Sequence, residues 1–343
     1  MNYKFKYTER NVARGSEFET RALLHLITLS KKHKEIKYIF IDCFNDVTGT
    51  QENCRTLFDI QSKGVANLTP RKIGTSLITL YENSLTDFNF SEYSLFFPQV
   101  DEKYVADSTL RVFGFENFGI RIDEIFEGLI TEYLRRNAGV ARTDQLEKSI
   151  REFIETVVFV CDHADNAEYI KALASFKDKE LKRTEFYQSV FDEIRQIQMV
   201  KKRINIESKE IAAIHDALAF EKHLKTKDIN ALVINRLIGV DVFRKKSIPP
   251  AFLDQVRALD QEAVKDLILD CTAKLSKALF DKNSKQSFWD FLEAAISEVD
   301  KSPMETAERI YSNIESTKGN RCRYMQGVSG IFLIALIKEG VEN

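Results

Sequence analysis

The sequence has no CxxC pair, no P-loop and no GxGxxG fingerprint, and each absence removes a class of chemistry. Its five cysteines, Cys43, Cys54, Cys161, Cys271 and Cys322, stand far apart, so neither a zinc site of the usual ligand spacing nor a disulfide framework is expected. They read as free thiols. Without the two glycine-rich motifs, nucleotide hydrolysis or dinucleotide binding would have to come from a partner. No apolar run approaches the roughly 20 residues that span a bilayer, and the opening MNYKFKYTERN lacks the apolar core of a signal peptide. A cytoplasmic protein with no membrane partner is therefore expected. Charge of one sign is lacking too: the formal net charge is -2, which argues against a histone-like coating of nucleic acid but leaves room for a local basic groove. Proline occurs five times, never between Pro98 and Pro249, so nothing of that kind interrupts helices across the middle of the chain.

What is present, 343 residues of ordinary globular composition, suffices for two compact domains. The first 120 residues read as an α/β core. Phe18, Ala22, Leu26 and Leu29 recur at helical spacing, predicting a helix over Glu17 to Leu29 with Ser16 as cap. Two strand-like runs follow, Tyr38 to Phe44 and Thr56 to Lys63, separated by a loop with Thr48, Gly49 and Asn53 and expected to pair as an antiparallel hairpin. A second helix is expected from Pro70 to Leu85, capped by Thr69, and then a buried strand at Tyr93 to Phe97. From residue 121 onward the pattern reads as all α. QLEKSIREFIETVVFV, FYQSVFDEIRQIQMV and EIAAIHDALAF carry apolar residues at helical spacing opposite charged faces. No fixed-period repeat marks a solenoid.

Among candidate chemical groups, Cys161-Asp162-His163 reads as a turn at a helix end, because three adjacent side chains do not converge on one atom. FDIQSKG, at residues 58 to 64, is more informative. On an extended strand Asp59, Gln61 and Lys63 share one face, either the wet side of a strand or the floor of a site. Asp46 lies just after the first strand, and the first helix supplies Glu17 or Glu19. Such a set suits phosphodiester hydrolysis with a hard divalent metal. Carboxylate and amide oxygens hold Mg²⁺, and a lysine orients the attacking water or meets developing charge.

This order, an acid on RGSEFETRALLHL, then FND, then DIQSKG, resembles the PD-(D/E)xK nuclease superfamily in the version where glutamine replaces the second acid. More narrowly, it is similar to the double-stranded-DNA endonuclease domain of anti-phage effectors, a group that includes the nucleases of CBASS and Lamassu-type systems. The resemblance covers residues 10 to 110. It implies a restriction-endonuclease-like core over residues 1–120, followed by an all-α oligomerisation or partner-binding domain over 121–343. It also implies an Mg²⁺ cofactor, with Mn²⁺ as substitute. Asp46 and Gln61 match metal ligands, Lys63 the catalytic lysine, and Glu19, or alternatively Glu17, the helix acid; Asp59 could compensate for the weaker glutamine ligand. Arg71 and Lys72, which oppose the dipole at a helix start, are candidate phosphate contacts or a solvated face. Double-stranded DNA is the expected substrate, cut with low sequence specificity. The active form is expected to be a homo-oligomer, controlled by an SMC-like ATPase and an accessory subunit. The competing expectation is a non-catalytic assembly protein built on a degenerate nuclease fold; a DNA-binding regulator lacks a recognisable helix-turn-helix or basic arm.

Overall fold

The computed structural model describes residues 3–5, 13–245, 247–281, 283–317 and 319–342. By its internal contacts the chain divides into two compact units, residues 1–169 with 191–226, and residues 170–190 with 227–343. In chain order the elements are β1 (Tyr3–Lys4), α1 (Ala13–Thr28), β2 (Tyr38–Ile41), β3 (Val47–Thr50), β4 (Leu57–Ser62), α2 (Pro70–Ser76), α3 (Ile78–Ser84), β5 (Phe90–Phe97), β6 (Val112–Phe113), α4 (Ile122–Arg136), α5 (Asp144–Thr156), β7 (Val157–Cys161), α6 (Asn166–Ala174), α7 (Thr184–Lys202), β8 (Glu210–Ile211) and β9 (His223–Lys225). The remaining helices are α8 (Thr226–Ile238), α9 (Leu253–Val256), α10 (Gln261–Phe280), α11 (Lys285–Lys301), α12 (Ala307–Thr317) and α13 (Val328–Glu342).

The first unit is built on a mixed seven-stranded sheet of order β6-β7-β5-β4-β3-β2-β9. β5 runs parallel to β4 and to β7, and the other neighbours are antiparallel. One face carries α1. Gly49 in β3 makes this approach possible, because a Cβ there would come within 2.8 Å of Leu26 and 2.9 Å of Ile36. Phe96 of β5 faces the same side and meets the rings of Phe18 and His25 at 4.9 and 5.5 Å. Its neighbours Leu95 and Phe97 join a second cluster with Ile73 of α2, Leu77 at the junction with α3, Leu80 of α3, and Ile125, Leu129, Ile150 and Phe153 of α4 and α5. Each such buried side chain contributes roughly 1.5–3 kcal/mol over its exposed state. On this side α2 and α4 cross at two glycines. A Cβ on Gly74 would lie 1.9 Å from the Ile125 carbonyl oxygen, and one on Gly128 2.0 Å from that of Arg71.

Several expectations change. The expected hairpin between the first two strand runs is split, because Val47–Thr50 is itself a strand inserted between β2 and β4. Its glycine reads as a loop signal but serves helix packing. Ser16 lies inside α1 rather than at its cap, and the second helix breaks at Leu77 into α2 and α3, with Thr69 capping α2 as expected. The expectation of an all-α region from residue 121 fails for the first unit, since β6 to β9 include three strands drawn from that stretch. QLEKSIREFIETVVFV divides into α5 and the strand β7, whose VVFVC is β-branched and mostly buried. EIAAIHDALAF is β8 followed by a 3₁₀ turn over Ile214–Phe220.

The second unit is helical throughout its described elements, as the pattern of the tail predicted. In α13 Phe332 to Ile337 are buried without interruption, the mark of a helix enclosed on all sides. Phe252 meets Phe332 edge-on at 5.2 Å. All five cysteines are free and buried, and no described helix is long and apolar enough to cross a membrane.

Candidate functional site

The loop between β2 and β3, residues 42–46, carries two acids within five residues. Asp42 takes left-handed backbone (φ 49°), which aspartate tolerates better than most residues. Its N–H donates to the Asp46 carbonyl at 3.1 Å, closing a tight loop that brings both acids to the end of β3. There Asp46 faces the last residues of β4. Its Oδ2 accepts from Gln61 Nε2 at 2.6 Å, from the Ser62 N–H at 2.7 Å and from Ser62 Oγ at 2.9 Å. Asp46 and Gln61 are therefore in direct contact, through the Gln61 amide N–H. Both are buried, Asp46 9% and Gln61 6% exposed.

The two candidate helix acids of α1 have different partners. Glu19, on the buried side of α1, lies close enough to Asp46 and Asp42 that their charges, after the larger effect of burial, hold its carboxyl above the usual range. Its Oε1 accepts from Lys202 at 2.7 Å, while its buried Oε2 has no hydrogen-bond partner among the described residues. Glu17 points elsewhere. It accepts from Asn166 at 2.9 Å and Arg21 at 3.2 Å, and the Asn166 bond is the main cause of its lowered pKa.

Asp59 is not gathered with these groups by any hydrogen bond among the described residues. It is fully buried on the α3 side, with Thr48 Oγ1 donating to Oδ1 at 2.8 Å and Asn83 and Asn45 donating to Oδ2 at 2.8 and 3.3 Å. Tyr3 in turn donates to Asn83 at 3.0 Å. Burial pushes the Asp59 carboxyl up to about 6. With its oxygens so engaged, Asp59 holds β3, β4 and α3 together. The polar face of FDIQSKG is thus neither wet nor a single floor: Asp59 braces the fold and Gln61 reaches Asp46.

Lys63 follows β4 directly, its N–H bonded to the Phe96 carbonyl at 2.8 Å. Its side chain is half-buried and makes no hydrogen bond or ion pair among the described residues. Arg71 and Lys72 are exposed at the start of α2, where the Lys72 N–H is capped by Thr69. Asp162 ends a strand rather than a helix. It accepts from Tyr169 at 2.5 Å and Arg111 at 3.1 Å, while Cys161 is buried with its thiol pushed up to about 11 and His163 is exposed. The three do not converge.

Sequence reasoning missed Asp42, Lys202 and Lys222. Lys222 is fully buried and donates to Asp42 Oδ2 at 3.2 Å and to the carbonyls of Lys202 and Ile204 at 3.0 and 2.8 Å. Burial nevertheless carries the Asp42 carboxyl up to about 6. An acid inside the apolar run YIFIDCF was the available signal for Asp42. The lysines lie about 180 positions away in sequence and left none.

Among the described residues no three His, Cys, Asp or Glu side chains are grouped closely enough to hold a metal ion by themselves. Magnesium does not demand this, since it keeps several waters and uses one or two carboxylates plus substrate phosphate. Asp46, Glu19 with its orphaned oxygen, and the Gln61 amide fit that need. Comparison with protein-family models, curated proteins and solved structures finds no match in any of the three.

Proposed function

We propose that this chain is a metal-dependent DNA endonuclease, an effector of bacterial anti-phage or anti-plasmid defence of the Lamassu type. The observation that carries the reading is the meeting of Asp46 with Gln61 at the end of β4, beside Glu19 of α1 and directly before Lys63. Asp46, Glu19 and Gln61 would hold Mg²⁺, or Mn²⁺ in its place. Bound there, the metal supplies Lewis-acid polarisation of the phosphate and a more acidic water. Lys63 orients that water or stabilises the developing negative charge. The Gln61 and Ser62 donors fix the Asp46 carboxylate in one orientation, and Asp59 keeps β3 and β4 in register behind it.

Double-stranded DNA as substrate, low sequence specificity, homo-oligomerisation when active, and control by an SMC-like ATPase with an accessory subunit rest on the motif resemblance. Arg71 and Lys72 remain candidate phosphate contacts. The test is purified protein on supercoiled plasmid with Mg²⁺, with EDTA, and as Lys63→Ala. Metal-dependent nicking and linearisation, absent in EDTA and in the variant, are expected. Cleavage that survives either change refutes the assignment.

One observation favours a second reading, an assembly protein on a degenerate nuclease core: buried lysines already neutralise Glu19 and Asp42. In that case the wild type neither cleaves nor responds to metal.

A further inference from the structure

The two buried lysines differ in how they are held. Lys222 directs its ammonium at three acceptors, one carboxylate and two carbonyls, so its donors are used up. Lys202, on the last turn of α7, is 9% exposed, and its only side-chain hydrogen bond among the described residues goes to Glu19 Oε1 at 2.7 Å. Two of its three N–H groups therefore have no acceptor among the described residues. A turn earlier on the same helix, Gln198 accepts from Thr20 of α1 at 2.7 Å, which seats this end of α7 against the residue next to Glu19. The Lys202 ammonium feels Glu19, Asp42 and Asp46 together. Burial pushes its pKa down, and the three carboxylates outweigh that and leave it raised.

An ammonium with spare donors, bonded to the acid whose second oxygen has no partner among the described residues and within the field of two further carboxylates, stands where a cation belongs. We infer that Lys202 is the resident cation of the metal-free site and that a divalent ion binds by exchange against it, so that Lys202 sets the metal concentration at which the site is filled. The inference rests on the nuclease reading, since it takes Glu19 and Asp46 as metal ligands. Bond making is balanced. The ammonium gives up one carboxylate, gains water, and leaves Glu19 with both oxygens available. Lys222 stays, because leaving would strand two backbone carbonyls.

The experiment measures Mn²⁺ binding without DNA, by isothermal titration and by the loss of the free-ion electron paramagnetic resonance signal, at pH 8. Wild type, Lys202→Met, Lys202→Gln and Glu19→Gln are compared, each first checked for a cooperative unfolding transition. Removing one positive charge a few ångströms from a divalent ion should tighten binding by about tenfold or more, whereas Glu19→Gln should weaken it by a similar factor. Should Lys202→Met not fold, Lys202→Gln, which can still donate to Glu19, carries the same expectation. Wild-type binding that Lys202→Met or Lys202→Gln leaves unchanged or weakens overturns the exchange while leaving the metal site standing. Absence of binding in wild type and both Lys202 variants overturns the metal site itself. Binding by the Lys202 variants alone supports the exchange in its strongest form.

Discussion

Lys222→Met is the perturbation whose cost the structure defines most closely. The wild-type ammonium is fully buried and satisfies Asp42 and the carbonyls of Lys202 and Ile204. Methionine fills much of the volume but leaves all three acceptors without a donor. Removing one partner of a buried ion pair costs about 3–5 kcal/mol when the other stays charged. Asp42 can avoid part of that cost by taking a proton. Its carboxyl already sits at about 6 in the fold against an ordinary 3.8, a difference of roughly 3 kcal/mol between its two protonation states. The sign follows from linkage: a raised folded pKa favours the fold fully below 3.8, and that contribution is lost as pH rises through about 6. Without Lys222, the strongest influence holding the value down, the window moves further up. At pH 5 the variant should lose only the two carbonyl bonds, about 1–3 kcal/mol; at pH 8 the full 3–5 kcal/mol is expected. Urea denaturation at both pH values reads this directly, and Lys222→Met with Asp42→Asn should recover part of the pH 8 loss. An equal loss at pH 5 and pH 8, or one below about 1 kcal/mol at pH 8, refutes the ion-pair account.

Other expectations separate the site from its supports. Glu19→Gln should abolish cleavage and weaken metal binding by about tenfold, while Glu17→Gln, whose carboxylate accepts from Asn166 and Arg21, should leave both within about twofold; plasmid assays on the two variants decide the helix acid. Gly128→Ala places a methyl 2.0 Å from the Arg71 carbonyl oxygen, so α2 and α4 must part, at a cost of about 1–3 kcal/mol in a thermal or urea transition; an unchanged midpoint would show that the crossing is looser than drawn. Asp59→Ala strands Thr48, Asn45 and Asn83 and should destabilise by about 3 kcal/mol, a loss that added metal does not restore; rescue by metal would make Asp59 a ligand after all.

The parts of the fold that could be read from sequence were those whose signal is local. α1 and α7 declare themselves by apolar spacing, and α2 by Thr69 followed by proline. β3 could not be read this way, because VTGT is short and its glycine has a reason that exists only once Leu26 of α1 packs 2.8 Å from where a Cβ would stand. β7 was hidden for a related reason. It continues without a break from an amphipathic helix, and a short buried apolar run has no period by which to tell strand from helix. β9 has three residues and is defined by pairing with β2 alone.

The site divides along the same line. Asp46 directly precedes β3, Gln61 lies on the adjoining β4 and Lys63 directly follows it, so their order in sequence carries their geometry, and Gln61 meets Asp46 as that order implies. Glu17 and Glu19 differ only in the direction each faces from one helix, which two residues of spacing leave open and the contacts with Asn166 and Lys202 decide. Asp59 shares a strand face with Gln61, yet the partners across that face, Thr48 and Asn83, turn it into a brace. The charge balance of the site was the least legible part, because it comes from Lys202 and Lys222, which reach Glu19 and Asp42 across 183 and 180 positions. A motif names the groups that perform chemistry, whereas the groups that keep those acids folded before a metal arrives are chosen by proximity alone. Lys202 is such a group: the Thr20–Gln198 bond between α1 and this end of α7 brings it to Glu19, and no local pattern in the sequence announces it.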